Sequence, residues 1–100
     1  MILYINTKDQ KQVVVSLKEK RKVVESLSQE NEYGSQVLLP LIEKLLKKYP
    51  MQWEILRGIE VETGPGSFTG LRVGVSVANA LGYSLGIPVN GKKSETDLVY

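Results

Sequence analysis

The sequence predicts an α/β domain: a five-stranded mixed sheet in the order 3-2-1-4-5, with two helices on one face. Three observations carry this prediction. First, three short runs of β-formers open the chain, Ile2–Ile5, Gln12–Leu17 and Lys22–Leu27, joined by short polar turns. Short joints make hairpins, so these runs form an antiparallel meander. Second, two helical patterns then alternate with two further strand patterns, giving β-β-β-α-β-α-β. Third, a crossover through a helix returns to a parallel strand right-handedly. Strands four and five therefore advance in one direction from the first, and both helices fall on the same side.

Each element has its own warrant. "ILYI" is a short apolar run, the mark of a buried strand. "TKDQK" and "KEKR" are turns around the second strand. After the loop "SQENEYG", Ser35 is placed to cap a helix that runs to about Lys48. Leu38, Leu41, Ile42, Leu45 and Tyr49 recur at steps of three and four, with Glu43, Lys44, Lys47 and Lys48 on the other side. Pro40 kinks this helix or marks its first turn, and Tyr49-Pro50 ends it. Glu54–Thr63 reads as the fourth strand, with Ile59 and Val61 alternating against Glu60 and Glu62. A second helix spans about Thr69 to Leu85, with Gly86 as its C-terminal cap. Ile87–Gly91 is the short fifth strand, and the last nine residues read as loose.

With both helices on one side, the other face of the sheet is bare. Glu60 and Glu62 in a central strand agree with that, unless they simply lie near the strand's end.

Composition narrows the function. One hundred residues make one domain with one modest core. The net charge of +2, without a basic stripe interleaved with aromatics, gives no nucleic-acid clamp. No cysteine points to a cytoplasmic protein. With no histidine either, the commonest general base and metal ligand are missing together, so no metal-binding residue is expected and any catalysis would need carboxylates, lysines or a partner's residues. "MILYINTKDQ" lacks the basic start of a signal peptide. Val73–Val89 is shorter than the ~20 apolar residues of a membrane span.

The densest stretch is "TGPGSFTGLR", residues 63–72. It admits two readings. As an anion site, Gly64 and Gly66 free the backbone, Ser67 or Thr69 caps the helix, and Arg72 adds charge one turn in. The spacing, however, lacks the lysine of a Walker loop and is one residue too long for a dinucleotide fingerprint. As a packing device, Gly70, Gly74, Ala78 and Gly82 are spaced by four and form a stripe of small residues. Glycine costs about 1 kcal/mol against alanine inside a helix, so close approach of another backbone should compensate. That backbone belongs either to the chain's own sheet and first helix or to a partner.

"GPGSFTGLRVG" (Gly64–Gly74) resembles the signature of the TsaB (YeaZ) family, and "MILYINT", "SQVLLPLIEKLL" and "LGIPVNG" resemble the segments around it. The resemblance covers nearly the whole chain. It implies the actin-like ATPase (ribonuclease H-like) half-fold. It also implies a noncatalytic role beside TsaD, the enzyme that puts a threonylcarbamoyl group on adenosine next to the anticodon of certain tRNAs. A TsaE-like ATPase joins them, and tRNA contact by this chain is at most indirect. The partner-binding face implied is the helix pair, through Leu38, Leu41, Ile42, Leu45, Gly70, Leu71, Gly74, Val75, Ala78 and Gly82. A second copy could use the same helices. No cofactor is expected, although a small nucleotide-binding domain of the same fold is the alternative.

The sequence departs from the family in places. Residues 1–100 match a single TsaB-like N-terminal domain, with the second family domain absent. Glu60 and Glu62 then read as adaptation to a face left uncovered. Asn6 stands where ATP-using relatives of the fold have an aspartate, and Gly34 where family members often have histidine.

Overall fold

The computed structural model describes residues 1–9, 11–30 and 35–98. The expectations placed on Gly34 and on the capping side chain of Ser35 lie outside the described residues. The sheet has four strands, β1 (Ile2–Asn6), β2 (Gln12–Glu19), β3 (Lys22–Glu30) and β4 (Gly58–Val61), in the order β3-β2-β1-β4. The meander pairs antiparallel, and β4 returns parallel to β1. The helices are α1 (Ser35–Leu46) and α2 (Phe68–Leu85). α1 runs through Pro40 without a break, with the ring on its exposed side.

Alternation along the strands sorts the two faces. Leu3, Ile5, Val13, Val15, Leu17, Ile59 and Val61 point one way and join Leu38, Leu41, Ile42, Leu45, Val75 and Ala78 of the helices in one core. Both helices therefore cover the same face, as expected. Tyr4, Ser16 and Glu60 are register partners on the opposite, open face. There the Tyr4 hydroxyl donates to Glu62 Oε2 at 2.6 Å, and Lys18 Nζ donates to Glu60 Oε1 at 2.9 Å while lying 4.4 Å from the Tyr4 ring centre. Burial, then the Glu62 hydrogen bond, push the Tyr4 phenol above its ordinary pKa. The glutamates thus belong to an ordered polar layer.

Three expectations need correction. The predicted fifth strand, Ile87–Gly91, forms only a single parallel bridge, Val89 to Ile59. Ile59 N–H donates to Pro88 O at 2.9 Å, and Asn90 N–H donates to Ile59 O at 2.8 Å. Pro88 has no N–H to lengthen the ladder. Asn90 (φ 52°) and Gly91 (φ 75°) then turn the chain back at once.

The fourth strand starts at Gly58 rather than Glu54. Residues Gln52–Ile55 form a 3-10 turn, and Trp53 and Ile55 pack against the core from it.

The C-terminal segment is tied down through residue 98. Glu95 is 5% exposed and accepts at Oε2 from Asn90 Nδ2 (2.8 Å). Its Oε1 takes Lys92 Nζ (3.1 Å) and the N–H groups of Thr96 and Asp97 (3.0 Å each). Its own backbone exchanges two hydrogen bonds with the Asn79 side chain on α2. Burial pushes the carboxyl up, but these donors outweigh it and hold the pKa at about 2.

Candidate functional site: the outward side of the second helix

α2 leaves the sheet through the glycine-rich corner. Gly64 takes φ 110° before a cis bond to Pro65. Ser67 caps the helix, its Oγ accepting from Gly70 N–H at 3.2 Å. The corner closes on the turn after β1, where Ser67 N–H donates to Lys8 O at 2.8 Å. A Cβ on Gly66 would lie 2.7 Å from both Cβ and O of Lys8. The loop donors on Ser67 and Gly70 are therefore spent inside the chain. Thr69 is exposed, and the Arg72 guanidinium lies 5.3 Å from the Phe68 ring centre. Gly64, Gly66, Ser67, Thr69 and Arg72 thus come together as a corner that aims a helix, and their geometry favours packing over an anion cradle.

The small-residue stripe faces inward. A Cβ on Gly70 would collide with the Thr7 carbonyl oxygen, and one on Gly74 with Thr7 Oγ1. One on Gly82 would lie 2.6 Å from Val89 Cγ2. The close neighbour that compensates for the three glycines is the chain itself, Thr7 just after β1 for Gly70 and Gly74 and the Val89 side chain for Gly82. The expected partner-binding set fails for the same reason. Leu38, Leu41, Ile42, Leu45, Leu71, Val75 and Ala78 are core residues, and Gly70, Gly74 and Gly82 are buried with them. None of the ten is available to a visitor without unfolding the domain.

The surface they leave outside has a different character on each helix. α1 presents Glu43 and Lys44 beside exposed Leu39. α2 carries one charge in eighteen residues, Arg72. Its outward side is Ser76, Ala80 and Ser84, four apart and exposed, flanked by half-buried Val73, Val77 and Leu81, with Phe68 and Tyr83 exposed near the two ends. Water-facing helix surfaces ordinarily carry charge, and charge depletion with aromatic enrichment marks contact surfaces. Reading the stripe by spacing alone missed this ridge; counting charges along α2 finds it.

Comparison with known proteins follows the same outline. A family model described as TsaD, tRNA N6-adenosine threonylcarbamoyltransferase, matches residues 26–94. The tRNA threonylcarbamoyladenosine biosynthesis protein TsaB of Bacillus subtilis is 33% identical over 93% of this chain and 41% of its own length. The tRNA N6-adenosine threonylcarbamoyltransferase of Geotalea daltonii is 45% identical over 51% of this chain and 15% of its own. Among solved structures, YeaZ from Pseudomonas aeruginosa superposes with a TM-score of 0.77 at 27% identity, over 88% of this chain and 42% of that one. The chain thus spans about two-fifths of the length of these TsaB and YeaZ relatives. Among the described residues, no helix is long and apolar enough to cross a membrane.

Proposed function

Because the chain belongs to the TsaB (YeaZ) family, we propose that it is a noncatalytic partner of a TsaD-like enzyme in tRNA threonylcarbamoyladenosine biosynthesis, and that it docks through the outward side of α2. The observation that carries this reading is the near absence of charge on that side. A lone domain gains nothing from an eighteen-residue surface helix with one charge, whereas a partner's helix laid along Ser76, Ala80 and Ser84 can approach closely and bury Val73, Val77 and Leu81. The same chain is similar to both TsaB and threonylcarbamoyltransferase relatives. That likeness supports a pseudo-symmetric pairing in which each partner offers equivalent helices. Self-association through the same ridge is the competing outcome.

The test is calorimetric titration of a TsaD-like protein with Ser76→Arg and Ala80→Glu. Both sites are exposed, so the fold persists. Affinity should fall by at least about tenfold, since each change adds a charge with no partner to the centre of the contact. Undiminished binding by both variants rejects the reading. A loss confined to self-association, read by light scattering, assigns the ridge to a second copy instead.

A further inference from the structure

The turn between β2 and β3 is built from residues its backbone disfavours. Glu19 pairs with Lys22, which leaves a two-residue loop of Lys20 (φ 52°) and Arg21 (φ 69°). Two consecutive positive φ values are the type I′ pattern, for which Asn-Gly is the low-strain sequence. Here each position carries a long cationic side chain, and both are exposed. Backbone strain of this kind persists where something else requires the side chains.

More cations gather around the tip. Lys22 follows directly. Lys48 Nζ bonds Glu25 Oε1 at 3.2 Å, three residues along β3 from Lys22, so the end of α1 with Lys44 and Lys47 lies beside the hairpin. Three acids in the neighbourhood are already engaged, and Glu43, exposed on α1 beside Lys44, offsets only one of the cations. Glu25 holds Lys48, Glu60 holds Lys18 at 2.9 Å, and Glu19 lies 3.8 Å from the Met1 amino group. Lys20, Arg21, Lys22, Lys44 and Lys47 have no ion pair among the described residues. The small net charge hides this asymmetry, because Glu62, Glu95 and Asp97 lie toward the opposite end, where β4 finishes.

We propose that the β2–β3 turn, with the end of α1, binds the phosphodiester backbone of RNA, a direct contact where the sequence alone implied at most an indirect one. Lysine and arginine side chains without base-reading partners contact phosphates and confer no sequence preference. The choice of RNA among polyanions rests on the tRNA-modification reading above. The position is compatible with it: α1 and the hairpin lie over β2 and β3, while α2 lies over β1 and β4. A protein on the α2 ridge and an RNA strand on the hairpin can therefore be held together.

Fluorescence anisotropy of a labelled tRNA transcript against the full chain, at several salt concentrations, tests this. The informative variant is Lys20→Asn with Arg21→Gly, which relieves the strained turn and should raise the melting temperature. It should also weaken tRNA binding by roughly tenfold and make the salt dependence shallower by about two counterions. Lys44→Glu with Lys47→Glu should weaken it further. Unchanged affinity and slope in the Asn-Gly variant overturn the proposal, as does failure of the wild type to bind tRNA at low salt. Variant-sensitive binding to phosphatidylglycerol vesicles with none to tRNA overturns it in favour of a membrane surface. Titration of a TsaD-like protein with the same Asn-Gly variant should be unaffected, so loss of the RNA contact and failure of the partner reading are separate results.

Discussion

Thr7 Oγ1 donates a 2.6 Å hydrogen bond to the Gly70 carbonyl oxygen, joining the end of β1 to the first turn of α2. Thr7 is fully buried, and the Gly74 backbone lies against the same hydroxyl. One residue thus occupies the space two glycines leave open, its carbonyl oxygen at Gly70 and its hydroxyl at Gly74, and the seat of α2 on the sheet is set there.

Gly70→Ala should therefore destabilise the domain. The added methyl meets a carbonyl oxygen of the backbone, which cannot swing aside as a side chain would. Overpacking of this kind costs about 1–3 kcal/mol, set against a helix-propensity gain of about 1. Urea denaturation should give a net loss of about 1–2 kcal/mol. Thr7→Val keeps the shape and removes the hydrogen bond, leaving the Gly70 carbonyl without its buried donor, at a cost of about 1–2 kcal/mol. A Gly70→Ala variant as stable as the wild type would contradict the seat described here.

Ser76→Arg and Ala80→Glu should leave stability within about 0.5 kcal/mol of wild type, because both side chains point to water. The contrast with Gly70, six and ten residues earlier on the same helix, separates folding from binding. Circular dichroism melts of the three variants read it directly. A collapse of either surface variant would mean that the outward ridge belongs to the core.

Much of this fold is legible from period and punctuation. The alternation of Leu3 and Ile5 with Tyr4, and of Ile59 and Val61 with Glu60, places both strands and their open face. Gly86, at φ 68°, ends α2 where the sequence expects. The side on which the glycine stripe falls is not legible, because a spacing of four fixes that a stripe exists and leaves its direction to tertiary contacts with Thr7 and Val89. The C-terminal clamp is hidden for a related reason. Glu95 looks like any exposed acid until Asn79 on α2 and Asn90 at the turn after the Val89 bridge close around it. The fifth strand is a matter of backbone chemistry, for "IPVN" is apolar enough, but Pro88 and the left-handed Asn90 leave one residue free to pair.

The Glu95 clamp makes stability depend on acid. Its folded pKa, about 2, lies below the value of 4.5 that the exposed group shows. A depressed carboxyl contributes its stabilisation in full above the unfolded value and loses it as pH falls toward the folded one. The window is therefore about pH 4.5 down to 2. The contribution at neutral pH is about 2 kcal/mol, allowing for the water that reaches the half-exposed Lys92 side of the site. Glu95→Gln should lower the melting temperature at pH 7 and approach wild type only as pH falls to about 2. Parallel curves across that range would mean the carboxylate is not held as described.

Asn90 sits at the centre of the same clamp. Its Oδ1 accepts from Val61 N–H at 2.9 Å, and its Nδ2 donates to Val61 O at 3.1 Å and to Glu95 Oε2 at 2.8 Å. Asn90→Asp keeps the size and tolerates the left-handed backbone, but it replaces a donor with a carboxylate oxygen facing Glu95. Two like charges at that distance cannot both ionise cheaply, so the pair should hold one proton well above the ordinary carboxyl range. The sign of the pH effect then inverts. In wild type this site favours the folded state more strongly as pH rises from 2 to 4.5. In the Asp variant the folded site binds a proton more tightly than the unfolded chain, so stability should decline as pH rises from about 4.5 toward 7. At neutral pH the loss should reach about 2–4 kcal/mol, the cost of a buried hydrogen-bond donor exchanged for a like charge. Much of it should return near pH 4, where a shared proton can bridge the two oxygens. Denaturation at pH 4 and pH 7 checks the inversion, and a variant equally destabilised at both values would show that Asn90 acts through its Val61 contacts alone.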